Sequence, residues 1–490
     1  MGNNWHTWFG KSISPGYFIG VGIYILVIIL ALYYDLPHAI LLCFAPLLLY
    51  YSLYGYEKIY YFIVYLTPLS IGLQWIFPQI PINLSLPSEL LMILLLFILI
   101  FKFLKTKSVD IHLFTHPVSL AILFYLFWMF VTSITSSMPL VSFKHLIAQG
   151  WFVVTLYFFP LILFKKIKRI YLFYALYIIA FSFVIIYSIN KHLSFGLFDK
   201  NAAHFVMKPF YNDHTSYGAI LAMYLPVLAG LIFLVKRQPL LKLLLFGVLA
   251  LYLVAIVLSY TRAAWISVVM AFVLFLLMLL RIKMRYLIVA GSLAVLLLFS
   301  YRTVIIDKLS KNKQDSSTEL SEHIRSMSNI ATDASNLERI NRWNSALKMF
   351  EERPVFGWGP GTYMFQYAPF QMARDKTIIS TNFAEGGNAH SEYIGPLAEE
   401  GVLGVLAVLL ILFFSFQSGF SAFNRISDKP AKTLVLISLL SLTTYFIHGL
   451  LNNYLDTDKA AVPFWGMLAV IVSIDLFSKK NPQLGGAEER

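Results

Sequence analysis

The feature that most constrains this chain is a recurrence of apolar runs about 17 to 25 residues long, enough to cross a bilayer as helices. Roughly fourteen can be placed, centred near residues 25, 46, 66, 96, 125, 157, 178, 224, 250, 272, 293, 405, 442 and 469. Only 13% of the 490 residues are charged and 59% are hydrophobic. A soluble globular chain carries about twice that charge, so most of this one belongs in lipid. The first run, within "SPGYFIGVGIYILVIILALYY", reads as a span that stays in place rather than a cleaved leader. Cys43 is the single cysteine, which excludes an intramolecular disulfide framework.

The 38 Lys and Arg outnumber the 25 Asp and Glu, giving a net charge of +13. On a soluble protein such a balance points to nucleic acid; here the positions of the charges decide otherwise. Alternate connections hold Lys58, then Lys102, Lys105 and Lys107, then Lys165, Lys166, Lys168 and Arg169. The series continues with Lys236, Arg237 and Lys242, with Arg281, Lys283 and Arg285, and with Arg425, Lys429 and Lys432. The intervening connections are poor in cations, with Lys144, Arg262 and Lys459 in three of them. Cytoplasmic loops keep the excess of Lys and Arg, so both termini are expected in the cytoplasm. Residues 189–214, the turn at Arg262 and a long polar stretch near 302–392 then face the opposite side.

The expected organisation is an all-α polytopic membrane protein of about 12–14 transmembrane helices. Its parts are N-terminal helices over 1–301, an outer loop domain over 302–392, C-terminal helices over 393–480 and a cytoplasmic tail over 481–490. Within the loop domain, "NLERINRWNSALKMFEERP" sets Leu337, Ile340, Trp343, Leu347 and Phe350 on one helical stripe, with Asn336 able to cap the start and Pro354 marking the end. Arg339 and Arg342, three apart, are neighbours on that helix. Gly357, Gly359 and Gly361 in "VFGWGPGTYMF" permit a tight turn.

Nucleotide-binding phosphate loops, HExxH and zinc-spaced Cys/His clusters are lacking from the sequence. The outer connection before the last span carries one D-x-D pair, Asp456 and Asp458 of "LDTDK"; the expectation is nonetheless that phosphate chemistry here would be neutralised by arginines. The order "SYTRAAW", "ERINRWNSALKMFEERPVFGWGPGTYMF", "NAHSEYIGPLAEEGVLG" resembles the bacterial O-antigen ligase and O-antigen polymerase superfamily, which also includes protein O-oligosaccharyltransferases. Arg262 matches the arginine outside a mid-chain span, and Arg339 matches the arginine of R-x-x-x-W, with Arg342 the alternative. His390 matches the histidine, while Glu399, Gly401 and Gly404 match the E-x-G-x-x-G run. Ser391 stands where the family usually has Asn. The motif resemblance covers about residues 200–420.

The resemblance implies a GT-C-like glycosyltransferase. Such an enzyme moves a glycan from undecaprenyl diphosphate to an acceptor hydroxyl, on lipid A-core, a growing polymer or a protein, at the periplasmic face of the inner membrane. It implies no cofactor and no metal. In that chemistry a guanidinium suits the diphosphate leaving group, being always charged and able to hold two phosphate oxygens. An imidazole suits removal of the acceptor proton. His390 is thus the candidate base, with Arg262 and Arg339 as the diphosphate clamp. Arg342, Lys208, Asp213, His214, Tyr217 and Glu399 are candidate substrate contacts. Plainer roles stay open: His390 as a loop residue, Arg262 snorkelling to headgroups, Arg339 paired with Glu338 or Glu352, and "NDHTS" as a helix cap. The class left standing beside an enzyme is a transporter of lipid-linked glycan, which would favour inverted repeats and ionisable residues at mid-membrane depth.

Overall fold

The computed structural model describes residues 55–79, 84–106, 111–282, 285–286, 289, 293, 334–373, 376, 380 and 387–480. The chain divides into two compact units, Met1–Tyr60 and Tyr61–Arg490. The expected spans near residues 25 and 46, most of the one near 293, and the cytoplasmic tail lie outside the described residues.

Helix α1 (Tyr56–Leu66) gives way to a 3-10 turn, Thr67–Leu69, where Pro68 removes a backbone donor. The continuous span expected near residue 66 is therefore corrected to a shorter helix followed by a break. A two-stranded antiparallel ribbon follows, pairing Ile71 with Leu86 and Gly72 with Ser85. Then come α2 (Ser88–Thr106), α3 (Pro117–Ile134), α4 (Pro139–Leu163), α5 (Ile167–Leu193), α6 (His214–Leu234), α7 (Pro239–Leu258) and α8 (Arg262–Leu279). The extramembrane helix α9 (Ala334–Glu352) precedes α10 (Ile394–Arg425), α11 (Lys429–His448) and α12 (Asp458–Lys480). Nine helices among the described residues are long and apolar enough to span a membrane: α3 to α8 and α10 to α12. They coincide with the runs centred near 125, 157, 178, 224, 250, 272, 405, 442 and 469. The fold is that of an all-α polytopic membrane protein.

The centre of the bundle is α6, α11 and α12, with α8 also packed on α11 and α3 on α10. In the apolar window of α12, 89% of residues are buried, against 17% in α7. Helix α7 thus presents its Leu-rich surface to lipid, where apolar side chains carry no solvation penalty. The short connections 235–238, 259–261 and 426–428 force neighbouring helices to alternate in direction. The N-termini of α6 and α8 consequently share one side. Hydrogen bonds from Thr215 to Tyr454 and from the Glu392 N–H to the Gly449 carbonyl bring the starts of α10 and α12 to that side too.

Helix α10 is broken seven residues after its start. Gly401 has φ 69° and ψ −163°, a conformation open essentially to glycine alone. The break frees three successive carbonyls, and each is taken by a donor from elsewhere. Ala398 accepts from the Trp358 N–H at 3.1 Å, Glu399 from the Gly359 N–H at 2.7 Å, and Glu400 from Trp128 Nε1 at 2.8 Å. The Val402 N–H, displaced from its helical partner, donates to the Pro354 carbonyl at 3.0 Å. The glycine turn after α9 is thereby bolted to the kink. A Cβ on Gly401 would lie 2.2 Å from the Val355 carbonyl oxygen, and one on Gly357 would lie 2.3 Å from the Glu399 carbonyl carbon.

The buried face of α9 is not the apolar stripe. Glu338, Asn341, Arg342, Ser345, Ala346 and Met349 are buried, whereas Leu347 is 42% exposed. The expected stripe is corrected for a physical reason: the polar side chains on that face have partners waiting in the loops around His390, and hydrogen-bonded polar groups are tolerated inside. The helix also begins two residues before Asn336.

Replacing Gly401 by Ala is expected to destabilise the protein by on the order of 1–3 kcal/mol or more, since both conformation and space are denied. A thermal melt in detergent checks this; an unchanged melting temperature would contradict the kink as described.

Candidate active site

The site is built on the segment entering α10. The Asn388 carbonyl accepts from Arg342 Nη1 at 3.2 Å, and Asn388 Oδ1 accepts from the His390 N–H at 3.1 Å. These bonds hold His390 at φ 49°, a left-handed conformation that a non-glycine residue adopts only where its surroundings enforce it. Ser391, in the place of the usual Asn, is buried, and its hydroxyl accepts from the N–H groups of Tyr393 and Ile394, both at 3.3 Å. It satisfies donors that the start of a helix leaves open.

Arg339 and Arg342 do different work. Arg342 is 6% exposed; its Nε donates to Glu338 Oε1 at 2.8 Å and its guanidinium lies 4.8 Å from the centre of the Tyr367 ring. It is a strut between α9 and the His390 turn. Glu338 also accepts from Ser380. Burial works against its carboxylate, but the bonds from Ser380 and Arg342 outweigh this and hold its pKa below the ordinary value. Arg339 is half-buried on the adjoining face, and its Nε donates to the Leu451 carbonyl at 3.1 Å.

Burial first, then the positive charges of Arg339 and Arg342, push the His390 imidazole down to about 4, against the opposing pull of Asp213 and Glu338. The ring is therefore neutral at physiological pH, the form that accepts a proton.

The outer ends of the central helices close around this segment. Asp213 Oδ1 accepts from the Ser216 N–H and from Thr215 Oγ1, each at 2.7 Å, so the expected helix cap at "NDHTS" is present. Thr215 also bonds the Tyr454 hydroxyl. The His214 carbonyl accepts from Thr261 Oγ1 at 2.8 Å, and the His214 ring meets His204 edge to face at 4.1 Å. Arg262 follows Thr261 directly as the first residue of α8, half-buried. Tyr260, just before, is a second non-glycine residue with positive φ, at 49°.

A residue that sequence reasoning missed fixes the α11–α12 connection. Glu392 accepts from the Tyr445 hydroxyl at 2.5 Å and from the N–H groups of Tyr454 at 2.7 Å and Leu455 at 3.1 Å. Burial and then Asp456 push Glu392 up to about 7. Through this loop Glu392 sets the Leu451 carbonyl that holds Arg339. Its position two residues after His390 was the available signal, but nothing local in "HSE" announces a partner sixty residues away.

Three candidate contacts sit elsewhere. Glu399 turns its carboxylate to the glycine turn, accepting from the N–H groups of Gly361 at 3.0 Å and Tyr363 at 2.8 Å, so it is a brace. Tyr217 is buried between Phe181 and Tyr211 in the aromatic core. The Lys208 ammonium lies 6.0 Å from the centre of the Trp75 ring.

Arginines, a neutral imidazole and four helix N-termini thus mark one end of the bundle, groups suited to holding negative charge. Residues 247–409 match the family model described as O-Antigen ligase. Over that stretch, about a third of the chain, the sequence is similar to the O-antigen ligase family. The matched stretch contains Arg262, Arg339, Arg342, His390 and Glu399, and leaves out Lys208, Asp213, His214 and Tyr217. No curated protein matches the chain at a significant level.

Arg342→Ala would leave the buried Glu338 carboxylate without its guanidinium, and breaking such a pair costs about 3–5 kcal/mol. A lowered melting temperature of the purified protein is expected, together with loss of activity. Full stability would contradict the strut.

Proposed function

We propose that this protein is an O-antigen ligase-type glycosyltransferase. It takes a glycan from undecaprenyl diphosphate and joins it to an acceptor hydroxyl on lipid A-core or a similar glycolipid. The reaction runs at the periplasmic face of the bacterial inner membrane, without a metal, and both termini are cytoplasmic. Residues 302–392 form the periplasmic loop domain in this reading. The observation that carries it is a neutral, half-buried His390 under the influence of Arg339 and Asp213, with Thr261, next to Arg262, bonded to the His214 carbonyl beside Asp213. This polar cluster lies at one end of the bundle, not at mid-depth along a pathway, which favours a transferase over a transporter.

In the proposed reaction His390 takes the proton from the acceptor hydroxyl as its oxygen attacks the anomeric carbon. The bond from that carbon to the diphosphate oxygen breaks, and its electron pair leaves on the diphosphate. Arg262 and Arg339 would neutralise this growing charge, which is the term that electrostatic preorganisation serves best. Attack opposite the leaving group inverts the anomeric centre. A positioned general base contributes about 10²–10⁴ in rate. Arg342 and Asp213 would act on His390 from either side, one charge discouraging and the other favouring its protonation.

His390→Ala is expected to abolish transfer in cells while leaving the amount of membrane-inserted protein unchanged; undiminished transfer would refute the base. Deleting the gene separates acceptor classes. Carrier-linked polymer without attachment is the expected result, whereas single attached repeat units would mean a polymerase and missing protein glycans a protein glycosyltransferase.

The pH dependence has a definite sign. With its pKa lowered to about 4, His390 stays unprotonated from pH 8 down to about pH 5. In purified protein kcat/KM is expected to stay level between about pH 6 and 8 and to fall only at lower pH. A fall centred near 6.5, the value of an unperturbed imidazole, would contradict the burial and charge described for this ring.

A further inference from the structure

The last residue of α11 lies beside this site and has no task in the mechanism above. His448 is 1% exposed, and neither of its ring nitrogens meets a hydrogen-bond partner among the described residues. The turn that follows repeats the pattern. Among the described residues Asn452, 2% exposed, has no partner for Nδ2, and the buried Asn453 Oδ1 has none either. Buried polar atoms are nearly always paired, and leaving one unmade costs more than the bond itself contributes. Several such atoms within six residues mark a place where a ligand supplies the partners.

Their surroundings say which end of the site this is. The Leu451 carbonyl, inside the same turn, accepts from Arg339 Nε at 3.1 Å. The His448 ring stands 5.9 Å from that of Tyr454, whose N–H is held by Glu392. The turn therefore flanks the arginine proposed to grip the diphosphate.

We infer that His448, Asn452 and Asn453 form a subsite for the hydroxyl groups of the donor's first sugar, the one bonded to the diphosphate. The chemistry favours a sugar over a phosphate. An imidazole and two carboxamides are uncharged, and each offers both donors and acceptors, which matches hydroxyls; the doubly charged diphosphate is served by guanidiniums. The donor's first sugar is the part of the substrate that must lie next to a guanidinium bound to that diphosphate. The inference rests on the proposed function and adds the recognition element to it.

The test compares two probes on full-length protein in lipid nanodiscs: polyprenyl diphosphate carrying a glycan, and the same polyprenyl diphosphate without sugar. His448→Phe and Asn452→Leu are measured beside wild type and Arg339→Ala. Both subsite variants are expected to weaken glycan-linked carrier about tenfold and to leave bare carrier within about twofold, the loss of one or two hydrogen bonds. Arg339→Ala should weaken both probes. Because the apolar replacements remove unpaired buried atoms, the two subsite variants should melt no lower than wild type. Equal effects on both probes, no effect on either, or a fall in melting temperature in both variants would overturn the subsite. Selective weakening of a separately added acceptor glycan would move it to the acceptor and overturn the donor assignment. Wild-type protein that binds neither probe would overturn the functional reading, and the subsite with it.

Discussion

The break in α10 at Gly401 is the constraint on which the rest depends. A helix that ran unbroken through this point would keep its carbonyls for itself. Broken there, it offers the carbonyls of Ala398, Glu399 and Glu400 to Trp358, Gly359 and Trp128. The Glu399 carboxylate completes the joint by accepting two N–H groups of the glycine turn. Backbone groups exchanged in this way are obligatory pairings in a poorly hydrated setting, so the turn has little freedom to drift. Helix α9 leads directly into that turn, and its register against α10 is set by it.

From this joint the site follows by short steps. With α9 fixed, Glu338 and Arg342 meet as a buried pair, and Arg342 reaches the Asn388 carbonyl. That contact, with the Asn388 side chain, holds His390 in its left-handed conformation. Two residues later Glu392 collects the α11–α12 loop, which returns the Leu451 carbonyl to Arg339. The circuit runs through α9, α10, α11 and α12 and ends where it began. Backbone strain at His390 and Tyr260 is maintained by this surrounding structure, as strain at functional positions must be. Of the two positive charges that act on His390, Arg339 is the larger and Arg342, paired with Glu338, the smaller.

The sequence made much of this visible and hid the rest for identifiable reasons. Apolar length located the nine spans, because a bilayer imposes length whatever the packing. It misread the segment near residue 66, where Pro68 ends the helix early. The order of Arg262, Arg339, His390 and the E-x-G-x-x-G run was legible as a resemblance, and the family model described as O-Antigen ligase matches the stretch 247–409 that holds them. The individual tasks were not legible. The bracing bonds of Glu399 were hidden, because only the fold discloses that two backbone donors lie opposite it. The apolar stripe of α9 pointed to the wrong buried face, since periodicity counts apolar residues and cannot count hydrogen-bond partners supplied by distant loops. Glu392 escaped notice for the same reason: its partners, Tyr445, Tyr454 and Leu455, are far along the chain.

The central claim is that one imidazole and an arginine clamp carry out a single displacement at the anomeric carbon. The anomeric configuration of the product tests it most directly. Purified protein would be given a polyprenyl diphosphate glycan of known anomer and a defined acceptor, and the new linkage read by proton NMR. A product of opposite configuration is predicted, formed in one step with release of polyprenyl diphosphate. Retention of the donor's configuration would require two displacements and contradict the account.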